Sequence, residues 1–220
     1  MIVVHHLENS RSQRVLWLLE ELGVDYEIRH YSRDPVTMLA PPELEQVHPL
    51  GKSPVIEDDD NTVAESGAII EYLAENYGDG AFIPAAGQER NEYRYWLHYA
   101  EASLMPWLLL KLVFARLNKP PMPLLMRPLA GAIAGGVTAK LIEPRLNQHF
   151  RFIESQLAGV EWLAGGKLSG ADIQMSFPLE AAAQRSDLSR FPNIVDYIAR
   201  IHARPAWQRA LERGGPYEYA

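Results

Sequence analysis

Two polar clusters, Gly51-Lys52-Ser53-Pro54 and Glu65-Ser66, stand beside two chain reversals within the stretch 48–67. Between them Val55-Ile56-Glu57 and Thr62-Val63-Ala64 read as short strands around the turn Asp58-Asp59-Asp60-Asn61, which folds the clusters toward each other. A cation at one end and an acid-hydroxyl pair at the other suit a small zwitterionic ligand. A third polar group, Asn9-Ser10-Arg11, lies between the first apolar run and the first helical stripe. Ser10-Arg11-Ser12-Gln13 has the spacing of a capping box, so by spacing Ser10 reads as a helix cap.

Cysteine is absent from all 220 residues. That excludes disulfides, thiolate metal sites and a protein sulfur as nucleophile or redox centre, so any sulfur chemistry uses a sulfur brought by the ligand. A net charge of -7 argues against a nucleic-acid footprint. The weakly polar run 129–139 is too short to span a bilayer, and the start Met1-Ile2-Val3-Val4 has no basic leader region, so no membrane partner and a cytoplasmic location are expected. Gly51-Lys52-Ser53 resembles the end of a phosphate loop, but position 46 is Gln and Pro54 opposes the helix which that motif needs. His5 and His6 are adjacent in a strand and face opposite ways, and His98 with Glu101 finds no further ligand, so no metal is expected.

The elements around these clusters follow from periodicity. Residues 2–7 read as a buried strand; Val15, Leu18, Leu19 and Leu22 trace a helix ended by Gly23; residues 25–31 alternate as a second strand. A weak helix after Pro41-Pro42 and the hairpin precede a stripe of Ile69, Ile70, Leu73 and Tyr77. This order predicts a mixed four-stranded sheet with packed helices over 1–78. After a linker at 79–87 no strand-like alternation remains, and 88–220 reads as all helical. One long helix is predicted from Gln88 toward Asn118 with a kink at Pro106, another through Leu146, Phe150, Ile153 and Leu157, one holding Ile173, Phe177 and Leu179, and a last one holding Ile194, Ile198, Ile201 and Trp207. The stretch 120–136 reads as a lid or an interface.

Four features in order, Asn9-Ser10-Arg11 before Arg14-Val15-Leu16-Trp17, the Gly51-Lys52-Ser53-Pro54 loop, Glu65-Ser66, and Ser169-Gly170-Ala171-Asp172, make the chain resemble a glutathione S-transferase of the fungal and bacterial serine-type branch. The resemblance implies a thioredoxin-like first domain that binds glutathione, with Pro54 in cis. It implies that Lys52 meets the glycyl carboxylate, the Ser53 backbone the cysteinyl part, Ser66 the gamma-glutamyl carboxylate and Glu65 its amino group. It treats the Ser169 box as a folding element, and it implies a homodimer.

The same resemblance implies a hydrogen-bond donor to the ligand's thiolate. Counting back four from Arg14 gives Ser10, with Asn9 and Arg11 as alternatives. Lowering a thiol from about 8.5 by ~2 units needs roughly 2.7 kcal/mol. One hydrogen bond to a charged group, at about 1.5 to 3 kcal/mol, with a helix N-terminus behind it meets this. An apolar pocket for an electrophile or peroxide is expected between the domains, with Leu104, Trp107, Leu108 and Tyr217 as candidates. Conjugation to electrophiles, with peroxide reduction beside it, is the leading activity. Disulfide reduction without a protein cysteine, and a non-catalytic regulatory role, are the alternatives.

Overall fold

The computed structural model describes residues 1–220. Strand β1 (Ile2–Leu7) leads through α1 (Ser12–Leu22) to β2 (Tyr26–Tyr31), which pairs parallel with it; a short α2 (Leu44–Val47) precedes β3 (Val55–Asp58) and β4 (Asn61–Ala64). The sheet order is β2-β1-β3-β4, with β3 antiparallel to both neighbours. This is the mixed four-stranded sheet of a thioredoxin-like domain. Asp58 pairs with Asn61, so the hairpin turn is Asp59-Asp60, shorter than the four residues read from sequence.

Gly23 ends α1 with φ 66°, a left-handed conformation that an L side chain disfavours. Helix α3 (Ser66–Tyr77) begins directly at the second polar cluster. It packs with α1 against the sheet through Ile69, Ile70 and Leu73, all fully buried.

The rest is helical. Where one kinked helix is expected, α4 (Gln88–Tyr99) passes through a π-helical segment, Ala100–Leu104, into α5 (Met105–Arg116). The irregularity thus lies before Pro106, which occupies the first turn of α5, where its missing N–H costs nothing. The Gly- and Ala-rich run is helix as well: Leu124–Gln156 is one 33-residue helical stretch, long and apolar enough by composition to cross a membrane. It comprises a 3-10 turn (Leu124–Met126), α6 (Arg127–Val137), a π segment (Thr138–Ile142) and α7 (Glu143–Gln156). Its second half is a core helix, burying Leu146, Phe150 and Ile153.

Helix α8 (Gly170–Arg185) is buried along most of its length and is the post on which the helical half is built. Asp172 accepts from Ser169 N, Leu163 N and the Tyr197 hydroxyl, and the Ser169 hydroxyl caps the helix through Ala171 N. The single last helix read from sequence is two, α9 (Pro192–His202) and α10 (Pro205–Gly214), because Pro205 holds Arg204 extended. Helix α10 returns to pack on α1, where Arg209 and Arg213 pair with Glu20 and Arg204 pairs with Glu21. One apolar core, from Val4 to Trp207, runs through both halves without a break.

Candidate active site

The hairpin and α3 do bring the two polar clusters together. Lys52, Ser53, Pro54, Glu65 and Ser66 line one cavity of about 210 Å³ with His48, Leu50, Val55, Ala64, Arg11 and Glu101. The Ser53–Pro54 peptide is cis. The Ser53 hydroxyl donates to His5 O at 2.8 Å and accepts from Leu7 N at 3.2 Å, which ties the loop to β1. The Ser53 backbone N–H and C=O have no partner within the chain, which leaves them for a peptide-like ligand. Lys52 and Glu65 are exposed and form no ion pair. Glu65 has φ 70°, a strained conformation at the point where the chain enters α3. Helix α3 starts at the cavity wall with Ser66, and the free N–H groups and dipole of its first turn favour a carboxylate there.

The helical half supplies a residue that sequence reasoning set aside. Glu101 sits on the π segment and reaches α1, accepting from Arg11 Nε at 3.0 Å and 3.2 Å and pairing closely with Arg14. Burial pushes the Glu101 carboxyl up, but Arg14 and Arg11 more than offset this and hold it below the usual carboxylate range. Arg14 is fully buried. Its Nη2 donates to Ser66 Oγ at 2.6 Å and its Nη1 to Gln174 O at 2.5 Å. The π segment is the signal that finds Glu101, and such bulges favour functional positions, but i,i+3 spacing in the sequence does not show one.

The three thiolate candidates separate. Asn9 accepts from Glu218 N at 2.8 Å through its side-chain oxygen, so it holds the C-terminal tail and does not line the cavity. Ser10 is buried and also lies off the cavity wall. Its Oγ accepts from Ser12 N and contacts Ser12 Oγ at 2.7 Å; Ser12 Oγ in turn contacts Leu7 O at 3.2 Å and His6 Nδ1 at 2.9 Å. The Leu7 carbonyl can only accept, so the single Ser12 hydroxyl hydrogen goes to it or to His6, and Ser10 supplies the hydrogen between the two serines. The Ser10 proton therefore points into the protein. The capping box with Gln13 does not form: the Gln13 side chain is buried without a partner. Arg11 alone of the three lines the cavity. Its Nε is held by Glu101 and its guanidinium lies 5.5 Å over the Phe177 ring, while both terminal amino groups make no hydrogen bond within the chain.

The four residues expected to line an apolar pocket do not line this cavity. Leu104 and Leu108 are fully buried core residues, because the π segment turns them inward. Tyr217 is buried and donates to Glu180 Oε2 at 2.5 Å. Trp107 faces a separate hollow with Tyr95, Tyr99, Leu141, His149 and Phe152.

Residues 1–75 match the family described as Glutathione S-transferase, N-terminal domain, and residues 122–205 match Glutathione S-transferase, C-terminal domain. The chain is 40% identical to Glutathione S-transferase 3 of Schizosaccharomyces pombe, over 97% of this chain and 88% of that one. It is 33% identical to Glutathione S-transferase 1 of Saccharomyces cerevisiae, over 97% and 95%. A solved glutathione S-transferase from Actinobacillus pleuropneumoniae superposes with a TM-score of 0.81 at 33% identity, covering 100% of this chain and 95% of that one.

Proposed function

The chain belongs to the glutathione S-transferase family, and from that premise we propose that the cavity between the loop 51–54 and the start of α3 holds glutathione and that Arg11 stabilises its thiolate. The observation that carries this is the set of free groups around one cavity: Lys52 at one end, the Ser53 backbone in the middle, Glu65 and the Ser66 hydroxyl at the other, and the Arg11 amino groups beside them. Lys52 meets the glycyl carboxylate as a point charge. The Ser53 N–H and C=O pair with the cysteinyl amide in strand fashion. Ser66 and the first turn of α3 take the gamma-glutamyl carboxylate, and Glu65 takes the ammonium.

When bound, glutathione supplies the reactive sulfur that this chain lacks. Arg11 places a fixed positive charge near it, which favours the thiolate over the thiol without any proton leaving the protein. Glu101 keeps Arg11 in place through Nε and leaves the outer amino groups for the sulfur. Ser10 shapes the turn that aims Arg11 at the cavity.

Transfer of glutathione to a small electrophile is the first reading of the activity, with reduction of peroxides beside it and a homodimer as the assembly. Disulfide reduction is the second. It is favoured by the withdrawal of Leu104, Leu108 and Tyr217 into the core, which leaves Arg11 in polar surroundings suited to a second glutathionyl group. Calorimetric titration with glutathione, followed by parallel assays with a chloronitrobenzene, cumene hydroperoxide and hydroxyethyl disulfide, tests both. Absence of glutathione binding overturns the site assignment. Turnover of the disulfide alone selects the second reading.

A further inference from the structure

Helix α6 is turned the wrong way for a helix in water. Its small residues Ala130 and Ala134 are buried, while its large apolar Leu129 and Ile133 are 56% and 52% exposed, and Leu125, four residues before them in the 3-10 turn, is 96% exposed. Leu124 beside them is 74% exposed. A surface helix ordinarily buries its large apolar stripe, and an exposed one marks contact with something apolar.

The charge around this stripe is equally one-sided. From Ala102 to Ile142 there is no Asp or Glu, although the chain as a whole is net negative at -7. The same segment carries Lys111, Arg116, Lys119, Arg127 and Lys140. Lys111 pairs with Glu143; the other four form no ion pair. Arg116 ends α5, Lys119 lies in the connection and Arg127 opens α6, so the three flank the exposed leucines. Helix α6 packs back on α5 there, with Gly131 against Asn118.

We propose that the α5–α6 tip is a membrane-docking surface: the stripe Leu125, Leu129 and Ile133 enters the headgroup boundary of an anionic bilayer while Arg116, Lys119 and Arg127 meet its lipid phosphates and carboxylates. Large apolar side chains on one face with cations flanking them is the composition of an interfacial helix that lies on a bilayer rather than crosses it. Ala130, Ala134 and the core residues of α7 stay packed on the protein, so the 33-residue stretch does not leave the fold. A second copy of the chain fits this surface less well. A two-fold contact centred on the stripe sets it against itself and brings three unpaired cations from each side together. The expectation of no membrane partner rested on spanning length and on the lack of a basic leader region, and neither bears on surface attachment. This inference stands independently of what the cavity binds.

Co-sedimentation with sucrose-loaded vesicles tests it, using the full chain with phosphatidylcholine alone and with added phosphatidylserine. The chain is expected to pellet with the anionic vesicles at low salt, to be released as salt rises, and to remain in solution with phosphatidylcholine alone. L125E/L129E is expected to abolish pelleting. R116Q/K119Q is expected to weaken partitioning roughly thirtyfold, about 2 kcal/mol for two cations near an anionic surface. Both variants are expected to keep the wild-type melting temperature and glutathione-dependent activity. Failure of the wild-type chain to pellet with anionic vesicles overturns the proposal, as does pelleting that neither variant reduces. A wild-type chain that ignores vesicles, with a mass in solution that falls in L125E/L129E, shows that a second copy covers the stripe and overturns it too.

Discussion

Arg14 Nη2 lies 2.6 Å from Ser66 Oγ, joining the first turn of α1 to the first residue of α3 beneath the cavity. A guanidinium only donates, so Ser66 accepts here and its one hydroxyl hydrogen is left for a ligand on the cavity side. The same guanidinium meets Glu101 and Gln174 O, so one buried charge holds together the sheet domain, the π segment and α8.

Two substitutions separate these roles. Arg14→Met leaves Glu101 with Arg11 alone and removes the contacts of the buried guanidinium to Ser66, Gln174 O and Glu101, and it is expected to cost about 2 to 4 kcal/mol in urea unfolding. Ser66→Ala takes only the Ser66 acceptor from the buried Arg14 guanidinium and is expected to cost less, about 1 to 2 kcal/mol in urea unfolding. It is expected to weaken glutathione binding about tenfold to a hundredfold by calorimetry.

Arg11→Gln is expected to raise the pKa of bound glutathione, read from the thiolate ultraviolet absorbance against pH, and to lower kcat more than it raises KM. Ser10→Ala is expected to leave that titration in place, because its proton is directed at Ser12. A raised pKa in Ser10→Ala with none in Arg11→Gln reverses the assignment.

His6 gives the fold a pH dependence. Burial, reinforced by His30, lowers its pKa from 6.5 to about 4 against the backbone bond to Gly214. The unfolded chain therefore takes up a proton near 6.5 that the folded chain refuses until about 4. Stability is present in full above about 6.5 and is lost as pH falls through this window, by roughly 2 kcal/mol at pH 5. Burial also lowers the pKa of His149, which acts in the same direction. Urea unfolding at pH 7 and pH 5 measures the slope, and His6→Asn is expected to flatten it in part.

Asp172→Ala is expected to destabilise the chain by about 2 to 4 kcal/mol, because the Tyr197 hydroxyl and the N–H groups of Leu163 and Ser169 lose their acceptor together in a buried place. Glutathione affinity of the folded fraction is expected to stay at the wild-type level, since none of these groups lines the cavity. A variant that unfolds at the wild-type midpoint argues against the box as a folding element.

The sheet, the hairpin and the helix starts were legible because each is a local matter. Period-two alternation over 2–7, the 3.6-residue stripe of α1, and the S-x-x-D box before α8 depend on neighbours within a turn or a strand. The Lys52–Ser53–Pro54 and Glu65–Ser66 clusters were legible for the same reason, since only a short hairpin separates them. The division of the last helix at Pro205 was misread, because packing and capping decide there between similar local preferences.

The sequence by itself determined that any reactive sulfur comes from a ligand, and it picked out the short segment whose polar clusters line one cavity. Only the tertiary structure decided which other residues join them there. Ser10 and Arg11 are adjacent in the chain, and the turn into α1 sends one inward to Ser12 and the other to the cavity, where Glu101 arrives from ninety residues away. The outward face of α6 is of the same kind. Its apolar residues are plain in the sequence, but which of them meet the core is set by α5, because burial is a property of the packed neighbour and not of the residue.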